Sequence, residues 1–344
     1  MLILNRTVFR LLLRPLLFRL PPERAHKLTE VLLKRAFLWR YIFSGYEIFD
    51  NRLAVEMGGL HLSNPVGLAA GYDKDCKFLP SMLHLGFGYV VGGTVTERPR
   101  PGNPKPRVLR YSDSRSLVNA LGFPSMGLEE AARNLARYAI RKKPIVVSIA
   151  GLTAEEFLHC HRRLEPLADA IELNISSPNT AGVRVFQDPE PFKELIRRLN
   201  DQRHKPLFVK LPPYFDEAER ERVLKLVTLC LTEGVNGVTA TNSKPVQDAR
   251  LKVGAGGLSG HLIFEDMLRI VSDIKAEAGK RLTINACGGI SSGQDAWQAL
   301  QAGATTVQLL TSLIYEGPTI ARDINKGLID FLHKENIPSL SPSH

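Results

Sequence analysis

The sequence predicts an α/β fold, a (β/α)8 TIM barrel, with an N-terminal amphipathic helical extension. Three observations lead there. Apolar, β-compatible runs occur at 65–70, 89–95, 145–150, 170–175, 207–211, 237–241, 282–286 and 306–310, eight in all. Amphipathic stretches separate them, among them 154–164, 191–200, 216–231, 265–276 and 293–302. Each run ends in small or polar residues, at the strand ends where such barrels hold their chemistry. A doubly wound sheet would want a GxGxxG turn after its first strand, and none is present. The chain divides into a helical segment 1–43, a barrel 44–336 and a disordered tail 337–344.

Residues 2–20 are apolar, with Arg6, Arg10 and Arg14 on one helical stripe. No run is long or clean enough to span a bilayer, and Arg14-Pro15 interrupts what would be a signal-peptide core. The Arg-rich, acid-free start also fits a transit peptide, the lesser alternative. Pro21-Pro22-Glu23 opens a second helix with an acid in its first turn. Leu28, Val31, Leu32, Ala36, Phe37 and Tyr41 form its apolar face. The net charge is +10, and residues 1–43 hold nine basic residues against two acidic ones. Cations interleaved with Leu and Phe point to an anionic lipid surface, not to nucleic acid. The expected location is therefore peripheral, on the cytoplasmic face of a bacterial inner membrane, with the mitochondrial inner membrane second. The plainer alternative is that both helices only pack on the barrel.

Residues 55–62 read as a hairpin with a Gly58-Gly59 turn, flooring the barrel. Residues 107–111 and 116–120 read as an antiparallel pair beside the mouth. Four cysteines show no CxxC spacing and suggest reduced thiols. Nine histidines form no HExxH cluster, so no metal is expected.

The chemistry centres on Ile171-Glu172-Leu173-Asn174-Ile175-Ser176-Ser177-Pro178-Asn179-Thr180. A buried strand breaks there into a segment that can continue neither as helix nor as central strand. Alone, it could be an ordinary polar turn. Other strand ends supply Ala70-Gly71-Tyr72-Asp73-Lys74, Gly93-Thr94, Lys210, Thr241-Asn242-Ser243, Cys287-Gly288-Gly289 and Thr311-Ser312. A lysine such as Lys210, between Val209 and Leu211, needs an anion or electron-rich partner unless it snorkels to solvent. Gly256-Gly257 and Gly288-Gly289, with Thr311, suit a phosphorylated cofactor. Asn119, Asn174, Asn179 and Asn242 offer donors and acceptors to a flat ring such as a pyrimidine.

These motifs resemble the dihydroorotate dehydrogenases. The resemblance rests on Asn64-Pro65-Val66-Gly67-Leu68-Ala69-Ala70-Gly71-Tyr72-Asp73-Lys74-Asp75, Gly93-Thr94-Val95-Thr96, residues 174–180, Gly256-Gly257-Leu258-Ser259-Gly260 and Gly288-Gly289-Ile290. It implies an FMN-containing barrel that oxidises dihydroorotate to orotate in pyrimidine biosynthesis. It implies Ser177 as catalytic base, and Lys74, Asn119, Asn174, Asn179, Asn242 and Ser243 around the substrate. Ala70, Gly71, Thr94, Ser148, Asn174, Lys210, Thr241, Gly257, Gly289, Thr311 and Ser312 would hold FMN. A serine base and N-terminal helices mark the membrane branch of the family, which passes electrons to quinone, with His26 and Arg110 along the quinone path. Ser148-Ile149-Ala150-Gly151, Leu310 and the segment Asn119-Ala120-Leu121-Gly122-Phe123-Pro124 look more like the soluble branch. The alternatives are a relative using fumarate or a partner flavoprotein, a Schiff-base aldolase using Lys210, or a non-catalytic membrane-surface protein.

Overall fold

A computed structural model describes residues 5–43, 46–138, 142–176 and 181–341. The chain forms β1 (Val55–Met57) and β2 (Leu60–Leu62), then β3 (Val66–Leu68) and β4 (Tyr89–Thr96). After these come β5 (Val108–Tyr111), β6 (Ser116–Asn119), β7 (Ile145–Ala150), β8 (Ala170–Asn174) and β9 (Leu207–Lys210). The last five are β10 (Gly237–Ala240), β11 (Lys244–Gln247), β12 (Ala255–Gly260), β13 (Thr283–Cys287) and β14 (Thr306–Leu309). Strands β3, β4, β7, β8, β9, β10, β13 and β14 close a parallel barrel in that order, with β14 returning to β3. Each expected barrel strand is present, with ends that match or differ by one or two residues.

The period of two sorts each strand into two faces. Ile171 and Leu173 of β8, and Leu207 and Val209 of β9, face the helices and join the main apolar core. Tyr89, Val91, Val146, Ala170 and Phe208 face inward over the β1–β2 hairpin, packing on Val55, Met57 and Leu62. Gly58 and Gly59 take positive φ to turn that hairpin, and the Gly58 N–H donates to Thr283 Oγ1 at 3.0 Å. The hairpin thus floors the barrel at the N-terminal strand ends. The surrounding helices start on side-chain caps: Thr153 accepts from Glu156 N–H, Asp216 from Glu219 N–H and Ser292 from Asp295 N–H. The helix Ala154–Leu164 buries Phe157, Leu158, Cys160, His161 and Leu164, one helical face. Each fully buried Leu or Phe contributes roughly 1.5–3 kcal/mol.

Over the mouth lies a second sheet ordered β11-β12-β6-β5, all antiparallel. The expected pair is its β5–β6 half. The other half escapes a sequence reading because β12 contains Gly256 and Gly257, which depress strand propensity. Its glycine is needed there: a Cβ on Gly256 would lie 2.7 Å from the Asn119 carbonyl oxygen across the strand pair.

The N-terminal segment is helical over residues 6–18, with a π-helical turn at Phe9–Leu13. Pro15 has no N–H for an i−4 carbonyl, and the wider turn falls where its ring would crowd the preceding turn. The expected second helix divides into Pro22–Leu33 and Ala36–Ile42, because Arg35 leaves helical geometry at φ −95°, ψ 67°. Arg6 Nε meets the fully buried Glu316 carboxylate at 2.6 Å, Phe9 packs on Gly317, and Arg107 Nη2 meets Glu23 at 2.8 Å. The tail expected to be disordered from 337 on packs back in part: Leu340 N–H donates to the Arg52 carbonyl at 2.8 Å and its side chain reaches the core. Apolar Leu340 supplies the burial that a polar run would lack. Residues 342–344 lie outside the described residues.

Gly67 sits on the inner face of β3, where a Cβ would fall inside the ring of the fully buried Tyr89. Gly67→Ala is expected to cost about 1–3 kcal/mol through overpacking, read by urea unfolding. An unchanged midpoint would contradict this packing.

Candidate active site

The C-terminal strand ends open into one cavity of about 970 Å³ that continues outward between the N-terminal helices. Its inner wall carries an ordered amide–hydroxyl network. Asn174 ends β8 facing inward and donates to Thr94 Oγ1 at 2.9 Å. Thr94 accepts there, so its own proton is free for Ser148 Oγ at 3.1 Å. Asn174 Oδ1 accepts from Ser176 N–H at 3.3 Å and Ser176 O–H at 3.0 Å. Ser176 Oγ in turn accepts from Asn242 Nδ2 at 2.9 Å, and Asn242 Oδ1 accepts from Ser243 N–H at 2.7 Å. Two expected substrate residues on different strands are therefore coupled through Ser176, which the sequence reading passed over.

Two lysines flank the network. Lys210 ends β9 facing inward, 5% exposed, with Nζ 3.7 Å from Cys287 Sγ. Burial works to lower its pKa, but Cys287 and Glu172 outweigh it and the pKa is raised. Lys74 donates to the Gly71 carbonyl at 2.5 Å, and its pKa is lowered, chiefly by burial against the opposing pull of Asp75 and Asp73. Asp73 pins this loop by accepting from Lys77 N–H at 2.8 Å and Phe78 N–H at 2.6 Å; burial pushes its pKa up to about 6.

Opposite, Gly260 and Gly289 come together at φ +96° and +73°, where a Cβ on Gly289 would lie 3.0 Å from the Gly260 carbonyl oxygen. Thr311 Oγ1 is 2.9 Å from Ser259 Oγ, and Ser312 donates to the Ile290 carbonyl. Ala70, Gly71, Lys74, Thr94, Asn119, Asn174, Lys210, Thr241, Asn242, Ser243, Gly289, Thr311 and Ser312 all line the cavity. Two expected cofactor residues stand behind its wall. Ser148 is fully buried and reaches the cavity only through Thr94. Gly257 is paired inside the mouth sheet, its carbonyl accepting from Asn119 Nδ2 at 3.4 Å, while Ser259 and Gly260 line the wall. A Gly-Gly pair reads the same in a loop and in a strand, and only pairing distinguishes them. Ser177 and Asn179 lie outside the described residues. Gln308 was also missed: it faces the cavity from β14, with a buried Oε1 that has no hydrogen-bond partner among the described residues.

The outer passage is apolar and aromatic. His26 stands edge-on to Tyr72 at 5.1 Å and near Phe78 at 6.5 Å. Arg110 lies over the Phe18 ring at 4.3 Å and donates to the Phe18 and Leu20 carbonyls, closing the end of the first helical segment.

Comparison with known proteins agrees with this arrangement. The dihydroorotate dehydrogenase family profile matches residues 52–332. Proteins named dihydroorotate dehydrogenase (quinone) are similar throughout: one from Thermus thermophilus is 37% identical over 94% of this chain and 97% of its own. Another, from Chloroflexus aurantiacus, is 38% identical over 93% and 96%. The crystal structure of DHODH from Eimeria tenella in complex with ferulenol superposes with a TM-score of 0.81 at 28% identity, covering 93% of each chain. This chain belongs to the dihydroorotate dehydrogenase family.

His26 carries a pH consequence. Burial, then Lys74, lowers its pKa from 6.5 to about 4. A group depressed in the folded state contributes stability that is present above its unfolded pKa and lost as pH falls through the folded one. Docking of the N-terminal helices is therefore expected to weaken from pH ~6.5 towards ~4, by up to roughly 3 kcal/mol. Limited proteolysis of this segment across that range should show acid sensitivity that His26→Gln reduces. Equal sensitivity in both proteins would remove His26 from this role.

Proposed function

We propose that the protein oxidises dihydroorotate to orotate, with FMN as the immediate acceptor and a membrane quinone as the final one, in de novo pyrimidine synthesis. The carrying observation is the Asn174–Ser176–Asn242 network beside buried Lys210 in the same cavity that opens between the N-terminal helices. The quinone-dependent reading is favoured over fumarate because the relatives named above carry quinone in their names.

The residues present fit a flavin. Lys210 places a buried cation at the cavity wall, suited to an electron-rich ring, and Gln308 Oε1 is a buried acceptor there without a partner among the described residues. Gly260 and Gly289 bring bare backbone to the wall next to Thr311 and Ser312, suited to a phosphate. FMN bound there supplies the acceptor for the hydride that leaves C6 of the substrate. The protein's own task is the C5 proton and the orientation of the ring. Asn119, Asn174 and Asn242, with Ser243 and with Asn179 by resemblance, orient the pyrimidine through paired donors and acceptors. Lys74 faces the substrate carboxylate. Ser177 takes the C5 proton; a serine is a weak base on its own and needs a relay to pass that proton on. Loss of the proton and the hydride leaves the C5–C6 double bond of orotate.

The N-terminal segment supports attachment at a membrane surface. Leu11, Phe37 and Tyr41 are 69%, 71% and 79% exposed, and Leu12, Leu16, Leu28 and Val31 are exposed with them. These side chains alternate with arginines and lysines, the pattern of a segment lying in the lipid interface. Among the described residues, no helix is long and apolar enough to cross a membrane. The proposed site is the cytoplasmic face of a bacterial inner membrane, where an anionic surface would meet these cations and quinone could reach the passage past His26.

Ser177→Ala is expected to retain FMN and to slow flavin reduction by dihydroorotate about 10²-fold or more, measured by anaerobic stopped flow. Equal rates would remove Ser177 from the mechanism. Removing residues 1–43 is expected to impair quinone reduction much more than flavin reduction and to abolish cosedimentation with anionic vesicles. Equal loss in both half-reactions would make the segment merely structural.

A further inference from the structure

One charge inside the barrel is not used by the chemistry above. Glu172 faces inward on β8, 1% exposed, between Ile171 and Leu173, which face the helices. Its Oε2 accepts from Thr239 Oγ1 at 2.7 Å, while its Oε1 has no hydrogen-bond partner among the described residues. A buried carboxylate oxygen left bare is costly unless positive charge faces it.

Strand register identifies that charge. Thr239, which holds Glu172, is the cross-strand partner of Lys210 on β9. On the other side Lys210 pairs with Asn174, two residues beyond Glu172 on the same face of β8. Glu172 therefore sits one layer below Lys210, about 7 Å along the strand, within reach of a lysine side chain. The other titratable groups here are Cys287 from β13, against Lys210 Nζ, and Tyr89 from β4, whose hydroxyl is bound to Thr306. Asn174, Thr239 and Thr241 complete the surroundings and carry no charge. Burial opposes the Lys210 ammonium, and Cys287 and Glu172 are the groups that counter it. A thiol supplies negative potential only when it loses its proton, and burial raises the pKa of Cys287. Glu172 is left as the standing counter-charge.

We propose that Glu172 is a positioning residue for Lys210: a counter-charge sealed in the barrel that keeps the ammonium charged at the cavity wall and so sets the reduction potential of the cofactor. This rests on the reading that places a flavin against Lys210. Glu172 does not line the cavity and acts through the lysine.

The test is the reduction potential of the bound flavin in purified holoprotein, followed from about pH 6 to about pH 9, where a buried lysine without a counter-charge can titrate. In Glu172→Gln the profile should acquire a downward break absent from the wild type, as Lys210 loses its proton. Lys210→Met in the same background should erase the break. Glu172→Met, which leaves no polar atom to satisfy, serves if the glutamine variant does not fold. Profiles of both Glu172 variants that superimpose on the wild type overturn the proposal. A double-mutant cycle in urea needs no flavin. Glu172→Met combined with Lys210→Met should recover most of the stability that either loses alone, and strict additivity overturns the pairing. A wild-type protein that purifies without flavin but shows that coupling would sink the flavin reading and leave the electrostatic coupling of Glu172 to Lys210 standing.

Discussion

A lysine ammonium held inside a closed barrel is the constraint around which the upper half of this structure is arranged. Lys210 has left water at the end of β9, and its charge must be answered by what surrounds it. The barrel's lower interior is mostly apolar, with Tyr89, Val91, Val146, Ala170 and Phe208 over a glycine-turned hairpin and the Tyr89 hydroxyl bound to Thr306. Its upper interior is polar, with Glu172, Thr239, Asn174, Thr241 and Cys287 gathered around the lysine. One alternation rule produces both layers: outward strand positions are mostly aliphatic, and inward positions change character with height.

The second constraint is exposure. Helices that cover a barrel usually bury their apolar stripe, yet here Leu11, Phe37 and Tyr41 face outward. The segment is nonetheless anchored at specific points. Arg6 meets Glu316, Arg107 meets Glu23, and Arg110 takes the carbonyls at the end of the first helical run. Of the segment's own cations, Arg6 and Arg10 turn to Glu316 and Arg14 donates to the Tyr315 carbonyl, while others remain on the rim beside the exposed leucines. The segment is fixed to the barrel on one side and apolar on the other, and the passage between its helices is continuous with the inner cavity.

Much of this was legible in the chain. The eight barrel strands follow from β-compatible runs at regular spacing, and the strand ends carry the residues that meet at the mouth. What escaped depends on pairing between distant segments. Gly256-Gly257 reads as a phosphate loop, but β12 pairs with β6 there, and Gly260 is the glycine of this run that lines the cavity. Ser148 matches a cofactor position by place in the chain, but its side chain ends on Thr94. Ser176 looks interchangeable with its neighbour until its hydroxyl is found between Asn174 and Asn242. Glu172 reads as one polar residue in an apolar strand, and only the closed barrel shows what charge it faces.

The visible spectrum of the purified protein decides whether this barrel carries a flavin that dihydroorotate can reduce. A yellow protein is expected, with flavin absorbance that bleaches when dihydroorotate is added without oxygen and returns when a quinone analogue follows. A colourless protein, or a flavin that dihydroorotate leaves oxidised, would contradict the proposed function.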